Sequence, residues 1–239
     1  MTINLFLAGI FAPAMLWIGY LYYNDRFKPE PFLYIGITYL LGIGAAFVCY
    51  KSYGLLPFVG LPDDPSLIME NNRLFFLVYC LGVVGLLEEL IKFLPFLLVI
   101  YTFKSFDEEI DGIIYASVIA LGFASFENFQ YLVYMDGFEL IGRAIASPLT
   151  HTIFSSIWGY SVGAAYLYGR PMIKPLVISL LISSLLHGLF DFLTVSPTLR
   201  VISSLVILLI WIWRIRVIDR LNKVEKEKNK IKNGGKNGG

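Results

Sequence analysis

Charged residues are scarce in this chain of 239 residues. Asp, Glu, Lys and Arg make up 15% of it and hydrophobic residues 57%, and the mean hydropathy is +0.69. Soluble domains carry about 25% charged residues, so the hydrophobic excess must face lipid. There are only two cysteines, Cys49 and Cys80, and both fall in apolar runs. This excludes a scaffold stapled by disulfides.

The formal net charge of +1 hides an uneven distribution. Residues 1–213 hold 10 basic and 15 acidic residues, whereas residues 214–239 hold 9 and 3. The acidic body excludes a nucleic-acid binder built on a basic face. The basic tail predicts a cytoplasmic C-terminus by the positive-inside rule. The low-complexity end of the tail, residues 233–239, is predicted to be disordered.

Seven stretches are apolar enough to cross a bilayer, which takes about 20 residues. They cover about residues 3–23, 32–53, 74–103, 112–135, 143–168, 174–195 and 197–216. The sequence therefore predicts an all-α polytopic membrane protein, with a membrane domain over residues 1–213 and a basic tail over residues 214–239. Seven spans place the N-terminus outside. The uncharged part of the last span has only 13 residues, so we expect Arg200 and Arg214 to snorkel to the interfaces.

Seven ionisable residues lie at membrane depth, all within the third to sixth spans. They are Glu88, Glu89, Lys92, Glu127, His151, His187 and Asp191. A charge at the centre of a spanning helix costs about 2.5 to 3.5 kcal/mol, so these residues need pairing, protonation or a function. In the predicted orientation they form one layer in the outer half of the membrane. We therefore predict a four-helix catalytic core at about residues 74–195.

The spacing within helices predicts contacts. Glu88 and Lys92 are four residues apart, as are His187 and Asp191, and such pairs share a helix face. We expect Lys92 to hold Glu88 ionised and Asp191 to orient His187. Pro95 is predicted to kink the third span.

These residue types suit hydrolysis of a peptide bond without a covalent enzyme intermediate. A carboxylate can activate water, and a histidine can donate to the oxyanion or to the leaving amine. A zinc site is the alternative, with His151, His187 and either Glu127 or Asp191 as ligands and Glu88 as base. An ion- or proton-coupled transporter is a further alternative, although no internal repeat is visible. The residues alone do not separate the two hydrolytic mechanisms.

Four motifs in order resemble the PrsW family of intramembrane proteases. They are Glu88-Glu89-Leu90-Ile91-Lys92, Phe123-Ala124-Ser125-Phe126-Glu127 followed by Asn128, the single His151, and His187-Gly188-Leu189-Phe190-Asp191. The segment from Asp25 to Pro31 is also similar to one that the family carries after its first helix. The wider clan includes the CAAX prenyl endopeptidases and the CPBP proteins. In the prenyl endopeptidases the second motif ends in histidine and the last in asparagine.

The resemblance implies a protease of the bacterial cytoplasmic membrane. Its substrate would be a single-pass membrane protein, an anti-sigma factor cut first on the extracytoplasmic side in envelope-stress signalling. It implies that Glu88 or Glu89 activates water with Glu127, and that His187 and Asp191 stabilise the oxyanion. His151 would serve either task, with Lys92 and Asn128 in support. We expect no cofactor unless the zinc alternative raised by the residues holds, and the oligomeric state stays open.

Overall fold

The computed structural model describes residues 3–25, 27–63, 66–69, 71–131, 134, 137–195 and 198–234. Within them the chain forms seven long helices and no strand. They are α1 (Ile3–Asn24), α2 (Phe32–Tyr53), α3 (Arg73–Thr102), α4 (Glu109–Tyr131), α5 (Gly137–Leu167), α6 (Ile173–Val195) and α7 (Arg200–Gly234). The connection between α2 and α3 contains a 3-10 turn, Leu56–Val59, and a short helix, Ser66–Met69. The predicted all-α fold is confirmed.

Five of the helices in the described part of the chain meet the length and hydropathy of a membrane span. These are α2, α3, α4, α6 and α7, the last over Arg200–Lys228. Many large apolar side chains on them remain exposed, among them Phe47, Leu98, Leu181 and Leu209. Such exposure is costly in water but favourable against lipid. The chain is a multi-pass membrane protein.

Helix α4 lies at the centre of the bundle. Its most apolar window is 89% buried, and it packs against α1, α2, α3, α5 and α7. The small residues Ala116, Ser117 and Ala120 on this helix are fully buried, and small side chains let helices approach closely without a hydrophobic driving force. Helix α6 packs against α3, α5 and α7. The third to sixth spans are thus connected by packing contacts, and their role as a catalytic core stays a prediction.

Helix α3 departs from α-helical geometry over Cys80–Val84, where it forms a turn of π-helix. It remains helical through Pro95, and the kink predicted at that residue stays a prediction. Across this turn α3 and α6 are almost in backbone contact. A Cβ added to Gly188 would lie 2.1 Å from the Cys80 carbonyl oxygen, and one added to Gly85 would lie 2.1 Å from that of Ser184. The two glycines therefore bring the backbones of α3 and α6 together one turn before Glu88 and beside His187.

Helix α7 does not end at the predicted boundary. It continues to Gly234, and Arg214 is 1% exposed inside the bundle. Its Nη2 donates to Ser117 Oγ at 2.9 Å and its Nη1 to Thr152 Oγ1 at 3.5 Å. The expectation that Arg214 snorkels was wrong, because hydroxyl groups of α4 and α5 replace water around the guanidinium. The division of the chain at residue 213 stays a prediction, and residues 235–239 of the tail lie outside the described part.

The connection between α1 and α2 is held against the start of α4. Asp25 Oδ2 accepts the Glu30 backbone N–H at 3.0 Å, and the Tyr115 hydroxyl donates to the Glu30 carboxylate. Both acidic side chains are 3% exposed. Burial raises the pKa of Asp25, which lies after the end of α1, to about 7. The family-like segment therefore has a structural position at the end of the bundle away from the histidines.

Candidate active site

The two adjacent glutamates of α3 have different surroundings. Glu89 is fully buried, and every group that contacts its carboxylate is a hydrogen-bond donor. These donors are Trp158 Nε1 at 2.8 Å, Lys92 Nζ and His187 Nδ1 at 2.9 Å, Ser155 Oγ at 3.0 Å and Ser183 Oγ at 3.1 Å. A carboxylate with five donors and no exposed edge holds its neighbours in place but has no room for water. Glu89 is a buried anchor of the site.

Glu88 borders an open cavity. Its Oε1 accepts from the Tyr53 hydroxyl at 3.2 Å, and its Oε2 lies 3.3 Å from Lys92 Nζ and 3.6 Å from His187 Nε2. These contacts are longer than those of Glu89, and the side chain lines the cavity wall. Of the two glutamates, Glu88 is the one whose carboxylate a water molecule can reach.

Lys92 links both glutamates to the histidine of α5. It is fully buried, and its Nζ lies 2.8 Å from His151 Nδ1 as well as near Glu88 and Glu89. An ammonium group has three donors and no acceptor, so these three contacts use all of them. Lys92 also lies over the Phe123 ring, 4.2 Å from its centroid. Of the two carboxylate contacts of Lys92, the one with the predicted partner Glu88 is therefore the longer.

The ring of His151 has both nitrogens engaged. Because Lys92 donates to Nδ1, the proton of a neutral ring lies on Nε2, which is 2.7 Å from Glu127 Oε2. Glu127 in turn lies 3.9 Å from Arg143 Nη2, and the guanidinium of Arg143 stacks on Tyr131 at 3.7 Å. The chain of contacts fixes which face of the His151 ring points to the cavity.

His187 is oriented by Glu89, although the sequence predicted Asp191 for this task. Its Nδ1 lies 2.9 Å from Glu89 Oε1, whereas Asp191 Oδ2 lies 3.7 Å from its Nε2. The i,i+4 spacing places Asp191 on the correct face, but Glu89 from another helix approaches more closely. His187 Nε2 points toward Glu88 and Asp191, into the cavity.

The cavity itself has a volume of about 1000 Å³. Helices α2 to α7 all contribute to its walls, so it is wider than the gap between the third and sixth spans that the sequence suggested. Glu88, Glu127, His151, His187 and Asp191 line it. Asp191 is the most open of them, with 32% of its side chain exposed, against 7% for Glu88. The polar layer thus lies at the bottom of a cleft that opens along one side.

Two residues that contact the candidate catalytic groups were not predicted from the sequence. Trp158 is fully buried and donates to Glu89. It lies seven residues after His151 and so on the same helix face, a spacing that could have revealed it. Tyr53 belongs to α2, outside the predicted core. Asn128, predicted as a supporting residue, is fully buried and does not line the cavity.

Three side chains of the cavity are close enough together to hold a metal ion. A ligand atom from each of Glu88, His151 and His187 lies within 4.8 Å of the others. Two histidines and a carboxylate are a known zinc set, so the residues fit zinc by atom type and spacing. In this set Glu88 is the carboxylate ligand, whereas the sequence predicted Glu127 or Asp191 as that ligand and Glu88 as the base. Zinc at His151 would need Lys92 to release Nδ1, because a neutral imidazole has only one lone pair.

The geometry defines a polytopic membrane protein with a hydrolytic type of site: a water-accessible carboxylate beside two histidines in a cleft within the bundle. The family model for "PrsW family intramembrane metalloprotease" matches residues 30–215. The chain therefore belongs to the PrsW family of intramembrane proteases.

Curated relatives agree over nearly the whole chain. Protease PrsW of Oceanobacillus iheyensis is 32% identical over 90% of this chain and 95% of its own length. Protease PrsW of Clostridioides difficile is 29% identical over 97% and 95%, and that of Bacillus subtilis is 29% identical over 78% and 80%. No solved structure matches the chain significantly. The resemblance expected from four short motifs is confirmed.

Proposed function

We propose that the protein is an intramembrane endopeptidase that hydrolyses a peptide bond of a single-pass membrane protein, with Glu88 as the base that activates water. The observation that carries this is the contrast between the two glutamates. Glu88 faces the cavity while Glu89 is enclosed by five donors. A general base must reach the proton that it removes.

The proposed reaction uses the groups around Glu88. Glu88 takes a proton from water as the water oxygen attacks the scissile carbonyl carbon. As an imidazolium, His187 donates from Nδ1 to Glu89 and faces the developing oxyanion with its second proton, on Nε2. Glu88 then returns its proton to the amine nitrogen as the C–N bond breaks, which leaves a carboxylate and an amine. His151 lies beside Glu88 and contacts Glu127, and we assign these two residues to binding the substrate next to Glu88.

A metal-assisted route is the second candidate, because the converging donors and the family's description both favour it. Glu88, His151 and His187 would hold the ion. A bound zinc ion would supply Lewis acidity and lower the pKa of a bound water. In that route Glu89 would accept a hydrogen bond from His187 Nδ1 and so orient the ring, as carboxylates do beside zinc-bound histidines. Lys92 opposes this route, because zinc could bind His151 only if Lys92 released Nδ1 of that ring.

The substrate and the setting belong to the same proposal. We place the protein in a bacterial cytoplasmic membrane with its N-terminus outside and its C-terminus inside, because the last 26 residues carry nine Lys and Arg. The cleft then opens toward the extracytoplasmic side. This position suits the first cut of an anti-sigma factor. The transporter alternative has no support from the family or from the site.

Cleavage of single-pass reporter proteins by the purified protein tests the proposal. A panel of reporters, including anti-sigma factors, is incubated with the protein in liposomes, and mass spectrometry locates the cut. We expect a cut near the extracytoplasmic end of the reporter span and none with Glu88→Gln. Glu109→Gln is the matched control and should cleave normally, because the Glu109 carboxylate lies at the opposite end of α4 from Glu127. Cleavage by Glu88→Gln at the wild-type rate would refute Glu88 as the base.

A chelator arm separates the two routes. Activity that survives exhaustive chelation supports the metal-free mechanism. Activity that is lost and then restored by zinc, with zinc content falling in His187→Ala, would replace it with the metal-assisted one.

A further inference from the structure

The cavity wall formed by α5 contains a hydroxyl group that the proposed reaction leaves unused. Ser147 lines the cavity and is 8% exposed, and its Oγ has no hydrogen-bond partner among the described residues. An unsatisfied buried polar group costs about 1 to 3 kcal/mol. Within a membrane, where water does not reach most of the bundle, such a group needs an explanation.

Other hydroxyl groups of the same helix show how this cost is usually avoided. Thr150, Thr152 and Ser156 each donate to the carbonyl oxygen three residues earlier, at 2.9, 2.7 and 2.7 Å. Ser147 makes no such bond back to its own helix. Its hydroxyl is therefore unpaired, on a residue that lines the cavity.

Ser147 belongs to a row of donors on one face of α5. Arg143 lies four residues before it and His151 four residues after it, so the three side chains share that face. Arg143 and His151 also line the cavity, and Arg143 Nε, like Ser147 Oγ, has no partner among the described residues. The row covers about 12 Å, at 1.5 Å for each residue of a helix.

The other buried donors of the cavity are already engaged. The Tyr53 hydroxyl donates to Glu88, Thr194 to the Asp191 carbonyl oxygen, and Ser203 to the Arg200 carbonyl oxygen. A peptide segment that enters the cavity gives up its hydrogen bonds to water, and each backbone carbonyl then needs a donor. Among the described residues that line the cavity, the buried nitrogen and oxygen atoms of side chains without a hydrogen-bond partner are Ser147 Oγ and Arg143 Nε.

We infer that Ser147 binds a backbone carbonyl of the substrate, on the open side of the scissile bond, and that Arg143 binds the next polar group outward along α5. The inference rests on the proposed function, since it takes the ligand to be an extended peptide segment. The row would hold the substrate backbone parallel to α5 and present the scissile bond to Glu88. Recognition of the backbone by these two residues does not depend on the substrate's side chains.

Binding of a reporter to an inactive background tests the inference apart from catalysis. The probe is a fluorescent single-pass reporter peptide, reconstituted with Glu88→Gln or with Glu88→Gln/Ser147→Ala in nanodiscs. Removing one neutral hydrogen bond costs about 0.5 to 1.5 kcal/mol, so we expect Ser147→Ala to weaken binding about 2- to 12-fold. Ser147→Thr, which keeps the hydroxyl, should restore it. Ser156→Ala, which removes an already satisfied hydroxyl of α5, is the matched control and should bind normally.

The melting temperature provides the second readout. Since the Ser147 hydroxyl has no partner among the described residues, Ser147→Ala should not lower the melting temperature. Equal affinities with and without the Ser147 hydroxyl would overturn the inference even if cleavage by the wild-type protein is established. Weaker binding accompanied by a lower melting temperature would also overturn it, because that result indicates a structural role. Ser147-dependent binding without any cleavage by the wild-type protein would refute the proposed function and leave this inference standing.

Discussion

Exchanging the carboxylates of Glu88 and Glu89 for amides should separate chemistry from folding. All five groups around the Glu89 carboxylate are donors. The amide of Glu89→Gln also brings a donor, so it must face either Lys92 and His187 or Trp158 and the two serines. Neither orientation satisfies the site.

The size of the effect follows from these contacts. Breaking a buried ion pair by removing one partner costs about 3 to 5 kcal/mol, and the pair of Glu89 with Lys92 is fully buried. At about 2 to 4 °C for each kcal/mol in a chain of this size, Glu89→Gln should lower the melting temperature by about 6 to 20 °C. Glu88 contacts Lys92 at the longer distance of 3.3 Å and borders the cavity. Glu88→Gln should therefore lower the melting temperature by less than Glu89→Gln does.

The loss of activity in Glu88→Gln should have a chemical cause and should not come from a loss of stability. Loss of a general base lowers kcat by about 10²- to 10⁴-fold, so a folded Glu88→Gln protein should be nearly inactive. The assay combines a thermal melt in detergent with reporter cleavage at a temperature where both variants are folded. Equal melting temperatures for the two variants, or a less stable Glu88→Gln, would refute the assignment of Glu88 to the cavity and Glu89 to the interior.

Two further predictions concern the packing and the end of the bundle that carries Asp25. Gly188→Ala should lower both the melting temperature and the cleavage rate, because its Cβ would lie 2.1 Å from the Cys80 carbonyl oxygen. Gly44→Ala, where nothing lies within 4 Å of the added Cβ, is the control and should change neither. Wild-type behaviour of Gly188→Ala would contradict the close helix crossing. Asp25 has its pKa raised to about 7 by burial. The folded protein therefore holds this proton more tightly than the unfolded chain, and its contribution to stability should be lost as the pH rises from about 4 through 7. Thermal melts of the wild-type protein from pH 5 to 8 should show this decline, and Asp25→Asn should flatten it; an unchanged pH profile in Asp25→Asn would exclude this residue as the cause.

Residue composition and spacing determined the helical architecture and placed most of the candidate site residues in one predicted layer. A bilayer satisfies no backbone hydrogen bonds, so apolar stretches of about 20 residues have one structural solution. The helices found at Phe32–Tyr53 and Ile173–Val195 follow from that constraint. The same constraint makes each ionisable residue within a span costly. For this reason Glu127, His151 and His187 could be assigned to one layer from their positions along the helices alone.

Only the tertiary structure decided what each of those residues does. Glu88 and Glu89 differ by one position, which is about 100° around a helix, and sequence does not fix how a helix is rotated about its axis. In the folded protein the π-turn at Cys80–Val84 and the contacts of Gly85 and Gly188 with the facing helix determine that rotation for α3. Arg214 shows the same limit, because the hydroxyl groups that replace water around it come from α4 and α5. The sequence placed the charged groups at membrane depth, and the packing of the helices decided which of them meet and which one is reached by water.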